Sequence, residues 1–192
     1  MAASPIPASR RGDGVPVRAV RSGTPFRILG IDPGTLRLGY GVIECRGPAH
    51  VSYVECGVIS ASPRDSRPAR LTEIGRGLRE LLAEVKPHAV AMEEAFYGKN
   101  IQSTLALGEA RGVALFVALE QGLLVTGYAP ATVKQTVVGH GRATKEQIGY
   151  LVRALLSLRK VPEPDAADAL AIAICHARCH AEPSALRRGV RT

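Results

Sequence analysis

The chain has 192 residues, of which 46% are hydrophobic and only 4% aromatic, and its formal net charge is +8. That length suits one globular domain with its own core, and no apolar run approaches the roughly 20 residues that cross a membrane. The positive charge is weak evidence for a nucleic-acid partner, because residues 1–25 and 186–192 each carry +3 and leave +2 for the body.

The two ends of the chain lack an apolar period. Residues 1–25 are rich in Ala, Ser, Pro, Gly and Arg, which is typical of a disordered basic arm, although an organelle transit peptide has a similar composition. Residues 182–192 are predicted to form a disordered basic tail, so 26–181 is the predicted folded domain. The four cysteines have no secretory context or regular spacing, which predicts reduced thiols in a cytoplasmic protein.

The folded region begins with three predicted strands. Phe26–Asp32 is a short apolar run that ends at a Pro-Gly turn, and Leu38–Cys45 and Val51–Ser60 follow after short connections. Because consecutive strands with short connections pair antiparallel, these three predict a meander.

Helices and strands then alternate. Apolar residues recur at helical spacing from Leu71 to Val85, before Lys86-Pro87. The later predicted elements are a strand at 88–93, a helix at 101–121, a strand at 123–128, helices at 131–138 and 146–158, and a last helix from Asp165. A meander followed by right-handed crossovers predicts a mixed five-stranded sheet with helices on both faces. This order is typical of the RNase H-like fold.

Four carboxylates stand at the ends of these elements. Asp32 ends the first strand and Glu93 the fourth, while Asp165 and Asp168 share one face at the start of the last helix. The first and fourth strands would be neighbours, so the four acids are expected to converge. Like charges in one cleft repel unless cations are bound, and oxygen ligands without His or Cys favour Mg²⁺ or Mn²⁺. Two such ions support phosphodiester hydrolysis.

Each acid also has an ordinary explanation. Asp32 precedes a Pro-Gly turn, Asp165 could cap its helix, and Glu93-Glu94 could begin a solvated loop. Capping does not explain Asp168, one turn inside the helix. The joint placement of the acids is therefore more specific than any one of them.

Two further regions are candidates for binding DNA. The segment 95–100 carries Phe96, Tyr97 and Lys99 directly after the acid of the fourth strand, and exposed aromatic side chains stack on unpaired bases. An alternative is that Phe96 anchors its loop in the core. Lys134, Arg142 and Lys145 form a basic cluster that is either a phosphate site or a solvated face.

A third segment carries metal-ligand residue types. Residues 175–180 (CHARCH) place Cys and His pairs at i, i+4, but the pairs lie on different parts of the helix surface. With no second Cys/His cluster to complete a zinc site, we expect ordinary helix residues here.

Four segments resemble the signature blocks of the RuvC-type Holliday-junction resolvases and follow the family's order. They are 31–34 (IDPG), 91–96 (AMEEAF), 133–139 (VKQTVVG) and 165–173 (DAADALAIA), and the resemblance covers roughly residues 26–180. It implies that the family's four metal-binding acids are Asp32, Glu93, Asp165 and Asp168. It also implies that Lys134 and Lys145 lie near the scissile phosphate and that Phe96 contacts bases at the junction centre.

The resemblance implies a homodimeric endonuclease that resolves four-way DNA junctions by paired nicks with 5′-phosphate ends. It further implies two Mg²⁺ ions per site, which Mn²⁺ can replace, and a branch-migration helicase complex as partner. Gly108 and Gly112 could permit close packing of helix 101–121, either at the dimer interface or within the chain.

Three alternatives are a related RNase H-like nuclease on another nucleic acid, a silent junction-binding protein and a sugar-kinase or actin-type ATPase. The complete set of acids argues against a silent protein. The ATPase class shares the Asp-x-Gly-Thr turn at 32–35 but needs a second phosphate loop and a much longer chain.

Overall fold

The computed structural model describes residues 25–46, 50–94 and 101–180. The elements in chain order are β1 (Phe26–Asp32), β2 (Arg37–Cys45), β3 (Val51–Ser60), α1 (Arg67–Val85), β4 (Ala89–Glu93), α2 (Ile101–Glu120), β5 (Val125–Tyr128), α3 (Pro130–Val138), α4 (Lys145–Leu155) and α5 (Pro164–Cys179). The predicted strands and helices are all present, with ends that differ by a few residues.

The five strands form one mixed sheet in the order β3-β2-β1-β4-β5. β1 pairs antiparallel with β2, which pairs antiparallel with β3. β1 and β4 are parallel neighbours, and β4 is parallel to β5. The RNase H-like prediction is confirmed, including the adjacency of the first and fourth strands.

Side chains on the two faces of the sheet form two cores. On one face Leu29 and Ile31 of β1 pack with Ile74 and Leu78 of α1 and with residues of α2. On the other face Ile28 packs with α3, α4 and α5. This division follows from the alternation of side chains along a strand, and it confirms helices on both faces.

Helix α5 lies unusually close to β1 and β2 because the strands present glycines to it. A Cβ at Gly30 would overlap the carbonyl oxygen of Ala169, and one at Gly39 would overlap the carbonyl oxygen of Asp165. A Cβ at Gly41 would lie 2.7 Å from the backbone nitrogen of Leu170. The absence of side chains at these positions brings the N-terminal half of α5 onto the sheet.

The ends of the helices have identifiable causes. The Ser66 hydroxyl caps α1, which ends at Lys86 in the left-handed conformation (φ 45°) before Pro87. Helix α4 begins with a capping box between Thr144 and Gln147. It ends at Leu155 instead of the predicted 158, because the chain turns at Ser157 (φ 53°). No helix in the described ranges combines the length and apolar character needed to cross a membrane.

Candidate active site

Three carboxylates meet at the carboxyl end of the parallel strands. Asp32 and Glu93 are the last residues of β1 and β4, one position beyond the paired residues Ile31 and Met92. Asp168 reaches the same place from α5. Together these acids line a cleft of about 200 Å³, called here the active-site cleft. Asp32 and Glu93 are 61 positions apart in sequence, and the parallel pairing of β1 with β4 brings them to the same end of the sheet.

Two lysines line the same cleft. Lys145 is the first residue of α4, and its Nζ donates to Oδ2 of Asp168 over 2.8 Å. Its side chain is 66% exposed, whereas that of Asp168 is only 15% exposed, so the ammonium group stays open to an incoming anion. Lys134 extends into the cleft from α3. The cleft therefore combines acids that attract cations with amines that attract phosphate.

The electrostatics of the cleft disfavour negative charge on Asp32. Burial, followed by repulsion from Asp168 and Glu93, raises the pKa of Asp32 to about 7, although Lys145 opposes the shift. Burial and Asp168 also raise the pKa of Glu93, while Lys145 and Lys134 act to lower it. Bound divalent cations would relieve this repulsion.

Asp165 has a different environment from the other three acids. It does not line the active-site cleft; its Oδ2 accepts a hydrogen bond of 2.7 Å from Nε of Arg37. The Nη2 of Arg37 donates to Oε2 of Glu163 over 2.6 Å. Glu163 is the N-cap residue of α5 and its side chain makes no capping bond, so the interpretation of Asp165 as the helix cap is wrong.

The described residues contain no group of three or more His, Cys, Asp or Glu side chains arranged to hold one metal ion. Lys145 and Arg37 occupy carboxylate oxygens of Asp168 and Asp165. The donor set nevertheless suits Mg²⁺ or Mn²⁺, because Asp32, Glu93 and Asp168 offer only oxygen atoms to one small cleft.

Of the other predicted site residues, only Arg142 lies within the described residues. Arg142 is exposed on the connection that precedes α4. Phe96 and Lys99 lie outside the described residues, as does Tyr97. Apart from Pro25, the residues of the two terminal arms lie outside the described ranges.

The Cys and His residues of segment 175–180 lie along the last turn of α5 and at its C-cap, His180. The sulfur atoms of Cys175 and Cys179 are 4.0 Å apart. His176 is buried, and its Nδ1 is hydrogen-bonded to the Tyr128 hydroxyl over 3.0 Å. Burial lowers the pKa of His176 to about 4, so it is a neutral core side chain.

Two arginines near the acids were not identified from the sequence. Arg37 begins β2, and Arg111 of α2 donates from Nε to the main-chain oxygen of Glu93 over 3.3 Å. Their partners lie 128 and 18 positions away, and neither belongs to a basic run or a helix-surface pair. No local pattern in the sequence marks them.

Comparisons with known proteins give a consistent result. A family model described as "Crossover junction endodeoxyribonuclease RuvC" matches residues 28–176. The protein of that name from Geobacter sp. (strain M21) is 48% identical over 164 residues, which cover 85% of this chain and 99% of the relative. The relative from Azorhizobium caulinodans is 48% identical over 163 residues, which cover 85% of this chain and 95% of the relative.

Two solved structures are similar. The structure of T. thermophilus RuvC in complex with Holliday junction substrate has a TM-score of 0.75 and 37% identity, over 80% of this chain and 94% of that chain. The yeast mitochondrial Holliday junction resolvase Ydc2 has a TM-score of 0.58 at 16% identity, over 84% of this chain and 82% of that chain. At that identity the yeast protein shows a shared fold alone.

Proposed function

The chain belongs to the RuvC family of crossover junction endodeoxyribonucleases, and from that premise we propose that it resolves four-way DNA junctions at the active-site cleft. The observation that carries the proposal is the convergence of Asp32, Glu93 and Asp168 with Lys134 and Lys145 on one cleft. The junction-bound T. thermophilus RuvC supplies the substrate class. Paired nicks with 5′-phosphate ends are the expected products.

We propose that Asp32, Glu93, Asp168 and Asp165 hold two Mg²⁺ ions, for which Mn²⁺ can substitute. The ions would supply activation of water and stabilisation of the leaving oxygen in phosphodiester hydrolysis. Glu93, Asp168 and Asp165 all act on the charge of Asp32, so Asp32 would be the acid shared by the two ions. Asp165 is bound to Arg37 outside the cleft lining, but its charge acts on Asp32, so it would complete the set.

Lys145 and Lys134 are proposed to bind the scissile phosphate. Lys145 begins α4, so its ammonium group adds to the partial positive charge of the helix N-terminus. Arg142 precedes the same helix and is exposed, so it could bind the neighbouring phosphate of the same DNA strand. Phe96 and Lys99 are proposed to contact the junction centre, on the resemblance of their segment to the family.

A homodimer is proposed on the exposed face of α2. Large apolar side chains there leave more than half of their surface in solvent: Ile101, Leu105, Phe116 and Leu119. Gly108 and Gly112 lie between these residues on the same side of α2, and a Cβ at either would meet nothing within 4 Å. Intrachain packing therefore does not account for these glycines within the described residues. Two symmetric cuts also require two sites related by a two-fold axis.

Family membership also suggests a branch-migration helicase complex as a partner and the cytoplasm as the compartment. Both statements rest on the family alone.

The deciding experiment measures cleavage of a synthetic four-way junction with Mg²⁺ beside linear duplex and an RNA–DNA hybrid. Symmetric nicks confined to the junction are expected. Cleavage of the hybrid instead would favour a related nuclease on another substrate, and binding without cleavage would favour a silent junction-binding protein.

The Asp168→Asn variant tests the role of the acids. Cleavage is expected to fall by about a hundred- to a thousandfold, the range for the loss of one charge-stabilising group, while junction affinity measured by gel shift stays within about twofold of the wild type. Glu146→Gln, on the exposed surface of α4, is the matched control. Loss of cleavage together with junction binding would indicate a structural role for Asp168.

A further inference from the structure

The guanidinium group of Arg37 is bound to two carboxylates at the start of α5. Its Nε contacts Asp165 and its Nη2 contacts Glu163, at 2.7 and 2.6 Å. We propose that Arg37 competes with the divalent cation for Asp165, and so weakens cation binding until a DNA phosphate takes the guanidinium. The proposal rests on the metal site of the proposed function and adds a residue that couples it to DNA.

The contact between Arg37 and Asp165 opposes cation binding in two ways. One carboxylate oxygen of Asp165 accepts a hydrogen bond from Arg37 and is less available as a ligand. The positive charge of the guanidinium also repels a cation at a neighbouring position. Asp165 does not line the cleft shared by Asp32, Glu93 and Asp168, although its charge acts on Asp32.

Glu163 makes the arrangement specific. Without a second acceptor, an arginine at the start of a strand would sample many rotamers, whereas Glu163 holds the other edge of the guanidinium. Gly39, two residues along β2, allows the backbone of Asp165 to approach the strand. Arg37 and Asp165 are therefore held together by both main-chain packing and side-chain contacts.

Arg37 is also placed so that it can be released. Its side chain is 49% exposed, and its partners Glu163 and Asp165 are 67% and 30% exposed. The Glu163 contact is therefore a weak surface ion pair, and the Asp165 contact is only partly shielded from solvent. A guanidinium can bind one phosphate through two parallel hydrogen bonds, whereas Arg37 makes a single hydrogen bond to each of its two carboxylates. A DNA backbone at this edge of the cleft would exchange phosphate for carboxylate and free Asp165.

The test measures Mn²⁺ affinity of the full-length protein in the absence of DNA, by electron paramagnetic resonance of free Mn²⁺. Arg37→Ala is expected to bind Mn²⁺ roughly two- to fivefold more tightly, the range spanned by an exposed ion pair. Glu163→Gln removes a carboxylate but leaves the hydrogen bond from Arg37 to Asp165 in place, so it is expected not to tighten Mn²⁺ binding. Weaker or unchanged Mn²⁺ binding in Arg37→Ala would overturn the proposal.

A double-mutant cycle separates this mechanism from a general loss of positive charge. In an Asp165→Asn background, Arg37→Ala is expected to have less than half of its effect on Mn²⁺ affinity, because the competing carboxylate is gone. An undiminished effect would mean that Arg37 acts by charge alone. Arg76→Ala is the matched control, since Arg76 also bridges two carboxylates, Glu73 and Glu80, on exposed α1; it is expected to change nothing.

A second comparison measures the Mn²⁺ affinity of the wild type and of Arg37→Ala, each as a pair with and without a saturating four-way junction. The junction carries hydrolysis-resistant linkages, so that the DNA stays intact and every proposed metal ligand is kept. Junction DNA is expected to tighten Mn²⁺ binding more when Arg37 is present than in Arg37→Ala. If the wild type bound no Mn²⁺ with or without junction, the metal site itself would be wrong. Measurable binding with no difference between the pairs would overturn only the role of Arg37.

Discussion

Asp32 lies where burial and neighbouring carboxylates oppose its ionisation. Its pKa rises from 3.8 to about 7 on folding, so between these values the native protein holds a proton that the unfolded chain has released. The contribution of Asp32 to the free energy of unfolding therefore falls as the pH rises from about 4 to about 7. The carboxylate that is proposed to bind both ions thus destabilises the fold at neutral pH when no cation is bound.

The Asp32→Asn variant is expected to be more stable than the wild type in EDTA at pH 8, by roughly 1–3 kcal/mol after allowance for partial solvent screening. At pH 4 the difference should approach zero. Urea denaturation at both pH values measures it. Asp65→Asn, at an exposed position before α1, is the control, and an equal gain at both pH values would show that ionisation is not the cause.

At the same scale, the sequence indicates some site residues and not others. Asp32 and Glu93 can be predicted because each polar side chain ends an apolar run that must be a buried strand. Asp168 can be predicted because a carboxylate one turn inside a helix has no capping role. Arg37 cannot be predicted, because its function depends on Glu163 and Asp165, which only the tertiary fold brings to it.

The position of α5 depends on the missing side chain at Gly30 of β1. A Cβ there would overlap the Ala169 carbonyl oxygen and lie 2.8 Å from the backbone nitrogen of Ala173. Both contacts are to helix backbone, which cannot move aside as a flexible side chain can. Since α5 carries Asp168 toward the cleft, a shift of the helix would also displace that acid.

Gly30→Ala is expected to lower the free energy of unfolding by about 2–4 kcal/mol, the range of severe overpacking in a core. Any folded protein that remains should cleave junctions poorly. Gly141→Ala is the control, because a Cβ there meets only the Ala131 carbonyl oxygen, at 3.9 Å. Similar melting curves for the two variants in circular dichroism would contradict the close packing of α5 on the sheet.

At the level of elements, the strands and helices could be predicted from the periodicity of apolar residues. Their ends could be predicted less accurately. The strand predicted from residue 123 begins at Val125, because the Leu123 amide is still hydrogen-bonded to the carbonyl of Ala118 in α2. The apolar pattern continues beyond the end of helix α4, because Leu156 is buried although it follows the last helical residue. In both places tertiary packing keeps an apolar residue inside without extending the element.

An apolar stripe runs along the exposed side of α2. Along α2, residues 101, 105, 108, 112, 116 and 119 recur at steps of three or four and so share a single side of the helix. The opposite side carries Ala110, Ala114 and Val117 into the core. A helix that is apolar on both sides is expected to be covered on both, which is why a second copy of the chain is proposed here.

Phe116→Asp tests this interface, because Phe116 is 60% exposed and the new charge would have to be buried on association. The variant is expected to be a monomer by sedimentation velocity at micromolar concentration, with a melting temperature close to that of the wild type. Tyr150→Asp is the control: Tyr150 is 64% exposed on α4, away from the stripe, and should leave the dimer intact. If Phe116→Asp stayed dimeric, the interface would lie elsewhere on the molecule. The monomer should also nick one strand of a junction without the matching cut, because one protein then offers only one active-site cleft.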